Sequence, residues 1–173
     1  MNTLELTSVL NSDRFVSKIA AHVCAADQLP IKSCYPSAYI VNTDTRNKPG
    51  THWVGMYIDK HGHCEYFDSY GLKPWQKNHR EFLARCCKRY TYNQLEMQAY
   101  DSTVCGQYCA VFIACMSRGY SMNKFQNLFS DINNPKLNDL LITRKFRQLF
   151  GNNRCECYFC DVRQCCWPRR KHP

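Results

Sequence analysis

A histidine and an aspartate flank a predicted β-hairpin and are the first residues in the chain that could do chemistry together. The run THWVGMYID is typical of one strand and CEYFDS of the returning strand, with a turn near His61 and Gly62. This turn places His52 and Asp68 at the same open end of the ladder, within reach of a hydrogen bond. A carboxylate there would fix the imidazole tautomer and favour its charged form. The alternative is a surface histidine beside an ordinary strand-end aspartate.

A cysteine at the start of an apolar run is the candidate nucleophile. The segment from Val104 to Gly119 is apolar nearly all round, which predicts a buried helix. The free N–H groups and macrodipole of its first turn would favour a thiolate at Cys105, although core packing is an equally good explanation of one cysteine. Gly106 would leave space for a substrate backbone. Gln98, seven residues before the cysteine, could help its backbone N–H to hold an oxyanion.

The ordered set HW, FDS, Q and CG resembles the Ulp1-like and adenovirus-protease (adenain) superfamily of cysteine peptidases. The run IVNTDTRNKPGTHWVGMYID is similar to the adenain pattern of IVNT, a glycine turn, and a His-Trp pair that opens a strand. The interval between glutamine and cysteine also matches, and the resemblance covers roughly residues 35–120. The roles that it implies are a base at His52, an orienting acid at Asp68, an oxyanion donor at Gln98, a nucleophile at Cys105 and a substrate-cleft wall at Trp53.

The resemblance implies a cysteine endopeptidase of a DNA virus or virus-like mobile element, which cleaves precursor structural proteins near glycine. Adenovirus enzymes usually carry Glu where this chain has Asp68, and the Cys-rich C-terminus has no counterpart that we can match. No cofactor is expected for the chemistry, whereas a DNA or peptide activator is compatible with the resemblance. Adenovirus enzymes bind an activating peptide through a disulfide. Cys86 and Cys87 lie in a plausible region for one, but core packing explains them better.

Three other functions remain open at the level of sequence. A deubiquitinase or a SUMO- or NEDD8-specific peptidase could share the fold, although 173 residues leave little surface for a folded modifier. Acetyltransferase effectors also use a set of His, acid and Cys. The third alternative is a non-catalytic nucleic-acid-binding module on a degenerate peptidase fold.

The pattern of elements predicts an α+β fold, with a small mixed sheet and a central buried helix that carries the nucleophile at its N-terminus. An amphipathic helix is expected to follow Ser12 and to end before Pro30. SAYIVN and YTYNQLEMQ are predicted strands, and a helix should begin at Pro74. A last helix is predicted from Pro135 to Gly151.

Composition changes after residue 151, which predicts a domain over 1–151 and a Cys-rich basic tail over 152–173. The resemblance implies that the first of these is the peptidase domain. The chain has a formal net charge of +9, and its last thirty residues hold eight lysines and arginines against two acidic residues. A polyanion such as DNA and simple solubilisation explain this excess equally well. The candidate nucleic-acid contacts are Arg154, Arg163, Arg169, Arg170 and Lys171, interleaved with Tyr158, Phe159 and Trp167.

Thirteen cysteines occur without a recognisable secretory signal, so most are expected to be reduced thiols. We therefore expect an intracellular, reducing compartment, with the host nucleus and virion if the chain is viral. A monomer without membrane contact is expected. Zinc is disfavoured because the spacing of the terminal cysteines departs from paired CxxC knuckles. These cysteines are Cys155, Cys157, Cys160, Cys165 and Cys166.

Overall fold

The structure is a computed structural model that describes residues 1–129 and 134–151. Its α-helices are α1 (Thr3–Ser12), α2 (Lys77–Cys86), α3 (Cys105–Ser117), α4 (Met122–Gln126) and α5 (Pro135–Phe150). Its strands are β1 (Ala20–Cys24), β2 (Ser37–Asn42), β3 (Trp53–Ile58), β4 (His63–Phe67) and β5 (Arg89–Tyr92). Short 3₁₀ turns cover Val16–Lys18 and Ala26–Gln28.

The five strands form one mixed sheet in the order β1-β2-β3-β4-β5. The three central strands are antiparallel neighbours, whereas β1 pairs with β2 and β5 pairs with β4 in parallel. Successive side chains of a strand point to opposite faces of the sheet, so each central strand contributes side chains to the cores on both faces. This arrangement confirms the predicted α+β class with a small mixed sheet.

The larger core lies on the sheet face that α3 covers. Its sheet residues include Ala38, Ile40 and Phe67, which pack with residues of α1, α3 and α5. The smaller core occupies the other face, where Val54 and Tyr66 pack with α2 side chains. His52 and Asp68 therefore adjoin strands of a sheet that is packed on both sides, and Cys105 begins the helix that covers one of them.

Helix α3 is the central buried helix that the sequence predicts. Eleven of its residues, from Cys105 to Met116, are buried. It approaches β3 so closely that a Cβ added at Gly55 would lie 2.9 Å from Phe112 Cδ1. The absence of a side chain at this glycine thus permits close packing of α3 on the sheet.

The prediction of a helix between Ser12 and Pro30 is wrong. Helix α1 ends at Ser12, and the segment that follows contains the edge strand β1. Parallel pairing of β1 with β2 satisfies this segment's backbone and overrides its weak helical periodicity. The true helix begins with a capping box that the sequence analysis missed, in which Asn2 and Glu5 each accept the other's backbone N–H.

The other elements follow the predictions with smaller changes. Strand β2 is the run SAYIVN, and the observed pairing of Gly55 with Phe67 is the register expected from the hairpin turn. The predicted strand YTYNQLEMQ forms a strand only as far as Tyr92, the last residue of β5 that pairs with β4. Within the described part of the chain, no helix is long and apolar enough to span a membrane.

Candidate active site

His52 lies at the entrance to β3, where the backbone is held by the neighbouring strand. Its carbonyl accepts a hydrogen bond of 2.9 Å from the backbone N–H of Thr43, which directly follows β2. The pairing of Asn42 with Trp53 continues this contact into the sheet. The imidazole is therefore presented from the rigid end of a strand pair.

Asp68 directly follows β4 and is completely buried. Its Oδ1 accepts hydrogen bonds of 2.9 Å from His52 Nε2 and from the backbone N–H of Tyr70. Asn93 fixes the backbone of Asp68, because Asn93 Oδ1 accepts a hydrogen bond from the Asp68 N–H and Asn93 Nδ2 donates one to the Asp68 carbonyl. The carboxylate is thus held in place from both its backbone and its side chain.

Cys105 is the first residue of α3, and its side chain is largely buried, with the residue 8% exposed. His52 Nε2 is bonded to Asp68, so Nδ1 is the ring nitrogen available to the thiol. Burial alone would raise the pKa of Cys105. Hydrogen bonds from His52 and from the backbone N–H groups of Trp53 and Gly106 stabilise the thiolate and lower the pKa below its usual value.

The electrostatics of His52 complement those of the thiol. Burial alone would lower the pKa of His52, but hydrogen bonds and charge interactions with Asp68 and Cys105 raise it to about 9. A lowered thiol pKa and a raised imidazole pKa together favour a thiolate–imidazolium pair near neutral pH. The arrangement can therefore supply an activated sulfur nucleophile and a proton donor.

Gln98 is completely buried in the loop before α3. Its Oε1 accepts a hydrogen bond of 2.7 Å from Ser69 Oγ. Its Nε2 donates to the Ser102 carbonyl at 2.9 Å and to the Tyr70 hydroxyl at 3.2 Å. The structure thus places Gln98 beside the candidate site, but with both amide hydrogens already bonded.

Trp53 and Gly106 border the site on the side of the N-terminal residues. The Trp53 indole N–H donates to the Met1 carbonyl at 3.1 Å, and the ring lines a cavity of about 310 Å³. A Cβ added at Gly106 would lie 3.4 Å from both Leu6 Cδ2 and Met1 Cβ. The glycine therefore makes room for α1, and its contact with substrate stays a prediction, as does that of Trp53.

Three residues of the site were missed by the sequence analysis. The Tyr70 ring lies against His52 with ring centroids 5.0 Å apart and planes tilted by 33°, Asn93 holds Asp68, and Ser69 bonds Gln98. The FDS motif that contains Asp68 includes Ser69, but no sequence signal pointed to Tyr70. No sequence signal pointed to Asn93, because its place beside Asp68 depends on the parallel pairing of β5 with β4.

A second histidine lies behind the site without joining it. His79 is completely buried, and its Nε2 donates to the Asn42 carbonyl at 3.2 Å. Burial lowers the pKa of His79 to about 4, so its imidazole is neutral at physiological pH. This neutral ring ties α2 to the end of β2 without adding a charge near His52.

The tail predictions and the terminal cysteine cluster lie outside the described residues. Arg154, Arg163, Arg169, Arg170 and Lys171 stay candidate nucleic-acid contacts. Among residues 1–129 and 134–151, no cluster of His, Cys, Asp or Glu could hold a metal ion. The cysteines in these ranges that are unpaired thiols are Cys24, Cys34, Cys64, Cys86, Cys87, Cys105, Cys109 and Cys115.

Sequence comparison finds viral proteases among the similar proteins. A protein named as a thiol protease from Acanthamoeba polyphaga mimivirus is 36% identical over 104 residues, which are 54% of this chain and 33% of that protein. A cysteine protease of African swine fever virus is 27% identical over 54% of this chain and 38% of its own length. A protease of fowl adenovirus A serotype 1 is 26% identical over 72% of this chain and 71% of its own length.

The chain is related to viral cysteine proteases. This relationship confirms the resemblance to adenain-like peptidases that the sequence motifs indicate. No family model matches the chain. The chain spans about a third of the length of the mimivirus relative and somewhat more of the African swine fever virus relative. A crystal structure of an African swine fever virus protease aligns with a TM-score of 0.48 and 23% identity, over 68% of this chain and 43% of that one.

Proposed function

We propose that this chain is a cysteine-type endopeptidase in which Cys105, His52 and Asp68 form the catalytic set. The observation that carries the proposal is the imidazole of His52, bonded at 2.9 Å to a buried carboxylate and placed to share its other nitrogen with a helix-start thiol. Sequence similarity to three viral proteases supports the same reaction class. Residues 1–151 would form the peptidase domain.

The geometry supports nucleophilic acyl transfer. The Cys105 thiolate would attack the carbonyl carbon of a peptide bond, and the carbonyl electrons would move to oxygen. The His52 imidazolium would then give its proton to the leaving amine as the C–N bond breaks. Neutral His52 would next take a proton from water, whose oxygen attacks the thioester and releases Cys105. Asp68 would hold the imidazole in the productive orientation throughout.

Trp53 provides the physical argument for cleavage near glycine. Its indole follows the proposed base directly and lies against the N-terminal residues. The adenain resemblance implies that this ring walls the substrate cleft, so a substrate chain would pass beside a large rigid ring. A side chain at this point would collide with the indole, and glycine would avoid that collision. Precursor structural proteins of a virus are the substrates that the adenain resemblance implies, with the host nucleus and virion as the corresponding locations.

A peptide library with mass-spectrometric detection tests the proposal in one measurement. The wild-type chain should cleave a subset of peptides, with glycine enriched next to the cleaved bond. Cys105→Ala and His52→Ala should each reduce cleavage by at least about 10³-fold, because members of a catalytic unit fail together. The matched control is Cys34→Ala, which removes an exposed thiol and should cleave like the wild type.

Two outcomes would contradict specific parts of the proposal. Wild-type cleavage by Cys105→Ala would remove the assigned nucleophile. A bulky residue preferred at the cleavage position would remove the proposed role of Trp53 while leaving the reaction class intact. Reaction of Cys105 with ubiquitin or SUMO vinyl sulfone, but not with a short peptide vinyl sulfone, would favour the modifier-specific alternative.

A further inference from the structure

Ser69 connects two residues of the candidate site that come from different parts of the chain. It directly follows Asp68, and its Oγ donates a hydrogen bond of 2.7 Å to Gln98 Oε1. Both Ser69 and Gln98 are completely buried. The FDS motif contains this serine, but the resemblance to known peptidases assigns it no role.

The neighbours of Gln98 determine which way its amide points. The Ser102 carbonyl lies 2.9 Å from one end of the amide and can only accept a hydrogen bond, so this end is the NH₂ group. The amide oxygen therefore faces Ser69, and the serine hydroxyl is the donor. Because both side chains are completely buried, removing the hydroxyl would take a hydrogen bond from an oxygen that water does not reach.

The backbone around Gln98 is held by other groups. The Ser69 carbonyl accepts hydrogen bonds from the N–H groups of Met97 at 2.8 Å and of Gln98 at 3.0 Å. On the other side of the loop, the Tyr108 hydroxyl donates to the Met97 carbonyl at 3.0 Å. None of these bonds uses the Ser69 hydroxyl. Replacement of this serine by alanine should therefore release the Gln98 amide and leave the loop in place.

One of the two amide hydrogens of Gln98 can be exchanged at low cost. Nε2 donates to the Ser102 carbonyl at 2.9 Å and to the Tyr70 hydroxyl at the longer distance of 3.2 Å. Tyr70 is only partly buried, so water can replace the amide at its hydroxyl. The ring of Tyr70 also lies against His52, with centroids 5.0 Å apart, which connects this hydrogen bond to the candidate site. The hydrogen that Tyr70 accepts is thus the one suited to the oxyanion role that the adenain resemblance implies for Gln98.

We propose that Ser69 is a positioning residue, whose hydroxyl holds the Gln98 amide with its N–H towards the oxyanion that forms when Cys105 attacks a peptide carbonyl. The inference rests on the proposed peptidase function. As the S–C bond forms, the carbonyl electron pair moves to oxygen, and Gln98 hydrogen-bonds that oxygen without transferring a proton. The C=O bond re-forms when the C–N bond breaks and the amine leaves with a proton from His52. The bond from Ser69 also polarises the amide, which makes its N–H a stronger donor.

Ser69→Ala tests the inference, because it removes the hydroxyl and keeps the backbone bonds of the loop. With a fluorogenic Gly-Gly-aminocoumarin peptide, kcat should fall by about ten-fold while KM changes little, because the oxyanion exists only after attack. A peptide aldehyde, which adds to the thiolate and creates an oxyanion, should lose affinity by a similar factor. Alkylation of Cys105 by iodoacetamide should stay within about two-fold of the wild type, because displacement of iodide creates no oxyanion.

A double-mutant cycle separates positioning of the amide from an independent effect. Gln98→Met removes the amide and keeps the length of the side chain, so kcat should fall by about 10²-fold. Ser69→Ala added to Gln98→Met should cost less than about two-fold more, because no amide is left to hold. Ser69→Cys leaves no cavity and has only a weak donor, so it should behave like Ser69→Ala. Wild-type kcat in Ser69→Cys would show that the volume of this side chain matters and its hydrogen bond does not.

Ser37→Ala is the matched control. Ser37 is also completely buried, and its hydroxyl lies 2.8 Å from Ser33 Oγ. It pairs with Ile58, at the end of β2 opposite to the candidate site. This variant should cleave like the wild type. Cooperative urea unfolding of both serine variants would show that a loss of kcat in Ser69→Ala alone does not come from a failure to fold.

Other results would overturn the inference in distinct ways. Wild-type kcat and aldehyde affinity in Ser69→Ala would show that the hydroxyl does not position the amide. Equal losses in cleavage and in iodoacetamide alkylation would show that Ser69 acts on the thiolate. A full ten-fold further loss in the double variant would show that Ser69 acts without Gln98. A wild-type chain that cleaves no peptide and binds no aldehyde would remove the proposed function itself, and this inference with it.

Discussion

The His52–Asp68 pair controls the protonation state on which the proposed chemistry depends. The carboxylate raises the pKa of a buried imidazole whose surroundings would otherwise lower it. The imidazolium in turn lowers the pKa of Cys105 against the effect of burial. The charges of Asp68, His52 and Cys105 therefore depend on one another, and a change at Asp68 should alter the pKa of the Cys105 thiol through His52.

This coupling predicts a specific pH dependence. Wild-type kcat/KM should fall on the alkaline side near pH 9, where His52 loses its proton, and on the acid side where the lowered pKa of Cys105 is crossed. Asp68→Asn removes the carboxylate charge that helps to raise the pKa of His52, so the alkaline limb should move to lower pH. Residual cleavage should remain because Asp68 transfers no proton.

The pH profile of peptide cleavage measures this shift, with Asp101→Asn as control. Asp101 is an exposed carboxylate in the loop before α3, with a side chain 72% exposed. Its replacement should leave both limbs in place. An alkaline limb that is unchanged in Asp68→Asn would show that this carboxylate does not set the pKa of His52.

The sequence predicted this part of the site because local rules determine it. A tight turn fixes which residues oppose each other in a hairpin, so His52 and Asp68 could be brought together without a structure. Tyr70 and Asn93 could not be placed in this way. Their contacts depend on a turn with positive φ at Gly71 and on the parallel pairing of β5, neither of which follows from neighbouring residues alone.

At the scale of elements, a buried ion pair joins the C-terminal ends of α1 and α3. Asp13 directly follows α1, and Arg118 directly follows α3. Arg118 Nη2 lies 2.7 Å from Asp13 Oδ2, and their side chains are 16% and 3% exposed. The guanidinium also lies 4.5 Å from the ring centroid of Phe15. The pair thus fixes α1 against α3.

Arg118→Met should lower the free energy of unfolding by about 3 kcal/mol, because it leaves the Asp13 carboxylate buried without its partner. Burial would raise the pKa of Asp13, but Arg118 and two backbone N–H groups lower it overall. The stabilisation is therefore present above the unfolded pKa of about 3.9 and disappears as pH falls through the lower folded value.

Urea unfolding at a series of pH values measures this loss. The gap between wild type and Arg118→Met should narrow below about pH 4, where the carboxyl takes up its proton. Arg46→Met is the matched control, because the Arg46 side chain is 68% exposed in its ion pair with Asp27. That change should cost less than about 1 kcal/mol. Equal effects of the two variants would show that the Asp13 pair is not a buried anchor.

The same layer shows why the first predicted helix was misplaced. Val16, Ile19 and Val23 recur at a spacing that suits a helix face. The structure instead uses them in a 3₁₀ turn and an edge strand, because β1 finds a partner in β2 seventeen residues later. Local periodicity contains no information about such a partner, so this error required tertiary structure to correct.

At the scale of the whole molecule, the basic C-terminus remains a candidate nucleic-acid element. Five lysines and arginines interleave there with three aromatic residues, a mixture suited to phosphates and stacked bases. We expect the full chain to bind duplex DNA with low sequence specificity and an affinity that falls steeply with salt. Each neutralised phosphate releases about one counterion.

Fluorescence anisotropy of a labelled duplex across salt concentrations tests this expectation. A chain that lacks residues 154–173 should bind more weakly and with a shallower salt dependence, while it still cleaves a short peptide. Equal affinities and slopes for both chains would exclude the tail as a DNA-binding element. Loss of binding on addition of chelator, in the full chain alone, would show that the terminal cysteines hold a metal ion.

The packing of α3 has a consequence for how the protein is made. Its apolar surface is covered by α1, which precedes it in the chain, and by α5, which follows it. At ribosomal rates of about 5–20 residues per second, α5 is completed a few seconds after Cys105. During that interval the helix that carries the proposed nucleophile lacks part of its cover. Chain synthesis thus separates in time the appearance of the Cys105 thiol from the completion of the core that holds it.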